Sequence, residues 1–206
     1  MKPGTSKSIP SGANRLRIIG GQWRATKLTF PDVLAIRPTP DRVRETLFNW
    51  LQTDIVNVRC LDLFAGSGAL GLEALSRGAS SVTFIDREAV IGKYLRDTLT
   101  RLNCAHGDVH IMDATQFLQK PATPFDIVFL DPPFAASAEN QLLGKICSLL
   151  ETQGWLSTHA YIYIECPSTT GSPDSIPNWP ANWTLHRSKQ AGQVGYHLAR
   201  RGTDAG

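Results

Sequence analysis

The residues best able to do chemistry stand where apolar runs stop. Four β-forming stretches end in a carboxylate: Asp62 in CLDLF, Asp86 in TFIDR, Asp113 in HIMDA and Asp131 in FLDPPF. If these runs are parallel strands of an open sheet, all four acids reach the carboxyl edge, where such sheets bind ligands. Asp131 is followed by Pro132, Pro133 and Phe134. Two prolines fix φ, so the Asp131 carboxylate and the Pro132 carbonyl form a rigid pair of hydrogen-bond acceptors. Such a pair can hold a planar amino group, and Phe134 offers a ring for a flat heterocycle to stack on. An amine whose lone pair is delocalised into a ring is a poor nucleophile, and alignment is what it needs most.

A second constellation lies upstream. Gly66-Ser67-Gly68-Ala69-Leu70-Gly71 fits GxGxxG between an apolar strand and a helical stretch, with Asp86 twenty residues beyond Gly66. This is the dinucleotide fingerprint on paper. Charge argues against it, because a pyrophosphate would meet Asp62, Asp86, Asp113 and Asp131 at a cost. S-adenosylmethionine carries no phosphate, has a sulfonium and an ammonium group, and presents a ribose diol to a carboxylate.

These residues need a scaffold that brings strand ends together. From residue 58 strands and helices alternate: VRCLDLFAG, ALGLEALSRG, SVTFIDR, AVIGKYLRDTLTRLN, DVHIMDA, TQFLQ, FDIVFLDPPF, a helix over 139–151 and GWLSTHAYIYIEC. The alternation predicts an α/β fold with a parallel sheet and right-handed crossovers. WTLHRSKQAGQVGYHLAR closes the chain as a hairpin around Gly192, after a Pro-rich surface loop, SPDSIPNWPAN. Ahead of this body, residues 1–13 are expected as a disordered tail. Residues 14–36, which open with NRLRIIGGQWRATKLTF, read as a small basic β-hairpin, and 37–206 as the main domain. In RPTPDRVRETLFNWLQ, Thr39 is the expected N-cap and Pro40 the first helical residue. Val43, Leu47, Trp50 and Leu51 would face the body, leaving Arg37, Arg42 and Arg44 on exposed or cleft-facing positions.

The 206 residues carry a net charge of +3, unevenly spread. Residues 1–60 hold +6 and the remainder −3, a basic front that suits a polyanionic partner. Arg15, Arg17, Arg24, Lys27, Arg37 and Arg42 are candidate RNA contacts. The N-terminus lacks the apolar core of a signal peptide and no run is long enough to span a bilayer, so the cytosol is the expected compartment. Cys60, Cys104, Cys147 and Cys166 are far apart, without metal-ligand spacing, and read as buried free thiols with no metal.

DLFAGSGALG followed by FIDR resembles the class I S-adenosylmethionine-dependent methyltransferases. The resemblance implies a Rossmann-like, mostly parallel seven-stranded sheet with a C-terminal antiparallel hairpin. It also implies a cofactor site: Gly66 and Gly68 at the methionine moiety with Asp62 and Phe64 beside it, Asp86 and Arg87 at the ribose, Asp113 and Ala114 at the adenine. Asp131, Pro132, Pro133 and Phe134 match the D/N-P-P-F/Y motif of methyltransferases acting on planar nitrogens. Together with RIIGGQWRATKL, RPTPDRVRETLFNWL and KQAGQVGYHLARR, the chain resembles the RsmD family of bacterial small-subunit ribosomal RNA methyltransferases. That implies a monomer acting on the N2 amine of guanine 966 of 16S rRNA within the 30S particle and releasing S-adenosylhomocysteine. Ala25 stands where the family commonly has Gly. Rival readings are a DNA adenine-N6 methyltransferase, which would need a target-recognition domain, a non-catalytic RNA-binding assembly factor, and a nicotinamide-dependent oxidoreductase. A ring-carbon methylase would need a nucleophilic cysteine, and Cys166 reads as buried.

Overall fold

The computed structural model describes residues 14–31, 38–133, 139–170 and 172–202. The tail expected over 1–13, Arg37 and Phe134 therefore lie outside the described residues. In chain order the elements are β1 (Arg15–Arg17), β2 (Lys27–Thr29), α1 (Asp41–Trp50), β3 (Arg59–Asp62), α2 (Ala69–Ser76), β4 (Ser81–Asp86) and α3 (Ala89–Arg101). There follow β5 (Gly107–Ile111), α4 (Ala114–Phe117), β6 (Phe125–Leu130), α5 (Glu139–Thr152), β7 (Leu156–Pro167), β8 (Trp183–Ala191) and β9 (Val194–Arg201).

Alternating strands and helices can only cover their apolar faces by layering, and they do so here. One seven-stranded sheet runs in the order β5-β4-β3-β6-β7-β9-β8. The pairs among β3, β4, β5, β6 and β7 are parallel, whereas β9 runs antiparallel to both β7 and β8. Both faces are packed, which is why β6 is continuously apolar from Ile127 to Leu130 rather than alternating. Ile127 and Phe129 enter one core with Val43, Leu47 and Phe48 of α1, Leu72 and Leu75 of α2, and Leu95 and Leu99 of α3. Val128 and Leu130 enter the other with Phe117 of α4 and Leu143, Ile146 and Leu150 of α5. Each such side chain, removed from water, contributes about 2 kcal/mol before conformational entropy is counted.

The hairpin β1/β2 shares the first core. Leu16 and Leu28 face each other across the ribbon and are buried with Ile18 and Phe30, while Arg15, Arg17 and Lys27 point outward. Its Gly-Gly step is clipped to α2. The fully buried Glu73 accepts from the amides of Ile19 and Gly20, both at 2.8 Å, and Ser76 accepts from the amide of Trp23 at 3.0 Å. Gly21, at φ +75°, lies so close to α2 that a Cβ would stand 1.8 Å from the Ser76 carbonyl oxygen.

Four expectations are corrected. Arg44 is not exposed or cleft-facing but 1% exposed. Its helical neighbours Leu47 and Phe48 form the buried stripe of α1, and a guanidinium can follow them because Glu73 and several acceptors wait there. It donates to the carbonyls of Thr39 (3.2 Å) and Arg17 (2.9 Å) and pairs with Asp41 (2.6 Å) and Glu73 (3.4 Å). Thr39 is not the N-cap: Pro40 holds that position without a side-chain cap, because the Thr39 hydroxyl donates to Asp131 at 3.1 Å. The Pro-rich loop is not merely superficial. Ile176 is buried in the second core, and Trp179 packs edge-on against Trp183 at 5.4 Å. Of the cysteines, Cys60, Cys147 and Cys166 are buried, but Cys104 is only partly so.

Ala25 adopts φ +67°, the left-handed region that a side chain disfavours by about 1–2 kcal/mol. Ala25→Gly is therefore expected to stabilise the fold by about 0.5–1 kcal/mol, after the extra unfolded-state entropy of glycine is subtracted. Urea unfolding of the two proteins measures the difference.

Candidate functional site

The strand order turns back between β3 and β6. β4 and β5 continue from one side of β3, and β6 and β7 continue on the other. This is a topological switch point, where the loops leaving adjacent strands diverge and open a crevice. Asp62 ends β3, and Asp131 is the first residue beyond β6. Parallel pairing of Asp62 with Phe129 puts the two acids at neighbouring positions along this edge.

The loop from Asp62 to α2 is wound by its own amides. Ala65 donates to the Ile85 carbonyl at 2.9 Å and Gly68 to the Ala65 carbonyl at 2.7 Å. Gly66 and Gly68 take φ values of +48° and +75°, which turn the chain sharply into the N-terminus of α2. Phe64 is half-buried within this turn. Asp86 receives the amide of Gly66 on Oδ2 and that of Glu88 on Oδ1, each at 2.9 Å. The carboxylate is thus oriented by the glycine loop it faces, and lone pairs on both oxygens remain for further donors.

Charge distribution identifies the kind of guest. Asp62 is 2% exposed, accepts the Gly71 amide at 2.9 Å and has no Lys or Arg partner among the described residues. Burial pushes its carboxyl up to about 7, the charges of Asp131 and Asp86 add to this, and the Gly71 amide opposes it. Burial also raises Asp86, against its two backbone donors. Asp113, exposed at the N-terminus of α4, is lowered chiefly by the Thr115 hydroxyl and also accepts the amides of Thr115 and Gln116. An edge with protonatable acids and, among the described residues, no paired cation suits a positively charged ligand with a diol, and repels a pyrophosphate. S-adenosylmethionine, with its sulfonium, ammonium and ribose diol and no phosphate, has that chemistry.

Not every expected residue is equally placed. Asp62, Gly66, Gly68 and Asp86 converge through the bonds above. Asp113 and the buried Ala114 stand on the loop after β5, next in sheet order to β4. Arg87 points outward and pairs with Glu88 at 3.3 Å. Pro132 is buried and Pro133 exposed. Of the basic candidates, Arg15, Arg17 and Lys27 share the outer face of the hairpin, Arg24 is exposed in its turn and Arg42 on α1. Arg17 is partly committed, pairing with Asp41 at 2.8 Å. Sequence reasoning misses Glu165 and Tyr163, which lie on β7 beside the end of β6. The signal was present, since Glu165 interrupts the apolar run IYIEC at the strand that comes after the DPPF strand.

A sheet ordered in this way, with the antiparallel β9 between β7 and β8, and a glycine loop facing a carboxylate on the next strand, defines a class I S-adenosylmethionine-dependent methyltransferase. A family model described as "Conserved hypothetical protein 95" matches residues 16–200. The "Ribosomal RNA small subunit methyltransferase D" of Escherichia coli K12 is 50% identical over 191 residues, covering 93% of this chain and 92% of that protein. Its namesake in Haemophilus influenzae is 40% identical over 193 residues, covering 92% and 95%. A solved structure described as a putative methyltransferase from Escherichia coli superposes with a TM-score of 0.83 at 47% identity, covering 93% of this chain and all of that one. The chain belongs to the RsmD family, the ribosomal RNA small subunit methyltransferases D.

Two measurements test this site. Asp86→Ala is expected to weaken S-adenosylmethionine binding by about thirtyfold or more in isothermal titration, through loss of the loop-oriented carboxylate proposed as the acceptor for the ribose diol. Asp62 holds its proton longer when folded than when unfolded, so its contribution to stability is present at low pH and is lost as pH rises from about 4 through about 7. Asp62→Asn should therefore match the parent near pH 4 and exceed it by about 1–2 kcal/mol at pH 8 in urea unfolding.

Proposed function

We propose that the chain transfers a methyl group to the exocyclic N2 amine of a guanine in small-subunit ribosomal RNA, guanine 966 in the usual numbering. The proposed substrate is the 30S particle in the cytoplasm, and the proposed acting species is a monomer. The observation that carries this reading is the position of Asp131: one residue past β6, at the switch point, beside the loop that suits the methyl donor. The names of the relatives supply the class of nucleic acid, and the outward Arg15, Arg17 and Lys27 supply a basic surface for its phosphates.

When bound, S-adenosylmethionine supplies an electrophilic methyl group on a cationic sulfur that is already a good leaving group. What the chain must add is orientation. The Asp131 carboxylate, fixed by the Thr39 hydroxyl at 3.1 Å, accepts one N–H of the guanine amine, and the Pro132 carbonyl accepts the other. Held by both hydrogens, the nitrogen directs its lone pair toward the donor side of the crevice. Phe134, two residues further along the chain, would stack on the extruded base. A C–N bond forms as the C–S bond breaks, neutral S-adenosylhomocysteine leaves with the sulfur electron pair, and the cationic nitrogen then releases one proton to water.

Asp131→Ala is expected to lower methyl transfer at least a hundredfold while leaving donor affinity within about threefold. Mass mapping of ribosomal RNA from cells carrying only this variant reads the outcome: an unmethylated guanine supports the proposal, and full methylation at the same site overturns it.

A further inference from the structure

Glu165 has no part in the steps described so far, yet it is one of the most enclosed acids in the chain, 3% exposed. It lies on β7, whose Ile164 is paired in parallel register with Leu130 at the end of β6. One step further, Asp131 and Glu165 stand at matching positions and extend toward the same face of the sheet. Oε1 of Glu165 accepts the Tyr163 hydroxyl at 2.8 Å, and Oδ2 of Asp131 accepts the Thr39 hydroxyl at 3.1 Å. Neither carboxyl group pairs with a Lys or Arg among the described residues.

Two adjacent carboxyl groups without a counter-cation cannot both ionise cheaply. Burial raises both, and for Glu165 the charge of Asp131 raises it further. Among the described residues, the titratable groups facing the pair are Tyr163 on the same strand, Tyr196 opposite Glu165 on β9, and Asp62 on β3 behind Asp131. All are acids, so none offsets a second negative charge. The half-buried Asp131 is the better solvated of the two, and the proton belongs on Glu165.

We infer that Glu165 is a positioning residue for methyl transfer: tied by the Tyr163 hydroxyl, it serves as the neutral half of a carboxyl pair and fixes Asp131 as the ionised half that accepts from the target amine. The inference rests on Asp131 holding that amine. It explains why a buried stretch of β7 carries a glutamate near its end, and why that glutamate is met by a phenol and, among the described residues, by no cation. Losing the Glu165 proton would place a second charge against Asp131 and push the two groups apart.

The test measures methyl transfer to 30S particles purified from cells lacking this modification, across pH, with donor affinity followed by calorimetry. Glu165→Ala is expected to lower kcat about thirtyfold with donor affinity within about twofold. Glu165→Gln, neutral and of the same shape, should recover to within about fivefold of the parent. In the pH profile of kcat, the acid limb set by Asp131 should stay in place in Glu165→Gln, whereas the alkaline limb should disappear. A Gln variant as impaired as the Ala variant, an acid limb moved down by a full pH unit, or a retained alkaline limb would each overturn the inference. Activity in Asp131→Ala would instead overturn the function proposed above. An inactive Asp131→Ala beside a fully active Glu165→Ala would remove the role of Glu165 alone.

Discussion

Asp62 and Glu165, both buried, and the half-buried Asp131 are held at one rim of the sheet, with no Lys or Arg paired to them among the described residues. That is an expensive arrangement, and the rest of the site depends on it. Buried carboxyl groups must take protons, accept hydrogen bonds or meet a positive ligand. Here the local donors are the Gly71 amide to Asp62, the Thr39 hydroxyl to Asp131 and the Tyr163 and Thr39 hydroxyls to Glu165, which orient the acids without neutralising them. The rim is thus an acceptor surface in waiting. A sulfonium and an ammonium on one side and an amine on the other are the complementary chemistry, and a phosphate is excluded by the same charges.

Glu73 shows the contrasting use of a buried acid. It meets Arg44 and Arg77 and two backbone amides of the hairpin turn, so its charge is fully answered and no ligand is called for. Its consequence is mechanical. The turn after β1, the middle of α1 and the body of α2 are locked together, and α2 begins at the glycine loop. The basic outer face of the hairpin is therefore referenced to the donor loop through one helix of eight residues. A polyanion lying on that face would be held in a fixed relation to the crevice.

Much of this is legible in the chain because it rests on local rules. Apolar runs ending in Asp62, Asp86 and Asp131 announce parallel strands whose ends meet, and Gly66 and Gly68 announce a turn that only glycine makes easily. Arg44 misleads because its charge argues for the surface while its spacing, three and four residues before Leu47 and Phe48, argues for the core. The decisive fact, Glu73, lies 29 residues away. Thr39 misleads as a helix cap for a similar reason, since its hydroxyl is claimed by Asp131, 92 residues on. Glu165 requires the order of strands in the sheet before its nearness to Asp131 can be seen. Pairings across such distances depend on topology, which pattern and propensity do not encode.

An acid rim that receives a cationic donor must change its proton count when the donor binds. Calorimetry near pH 6.5, repeated in buffers of different ionisation enthalpy, counts the protons exchanged when S-adenosylmethionine binds and when S-adenosylhomocysteine binds. The two ligands share an ammonium group, a ribose and an adenine, and differ in the charge on sulfur. Greater proton release with the sulfonium compound is expected, because its charge draws the rim carboxyls into their ionised form. Equal release, or proton uptake with the sulfonium compound, would mean that the rim does not receive the donor's charge.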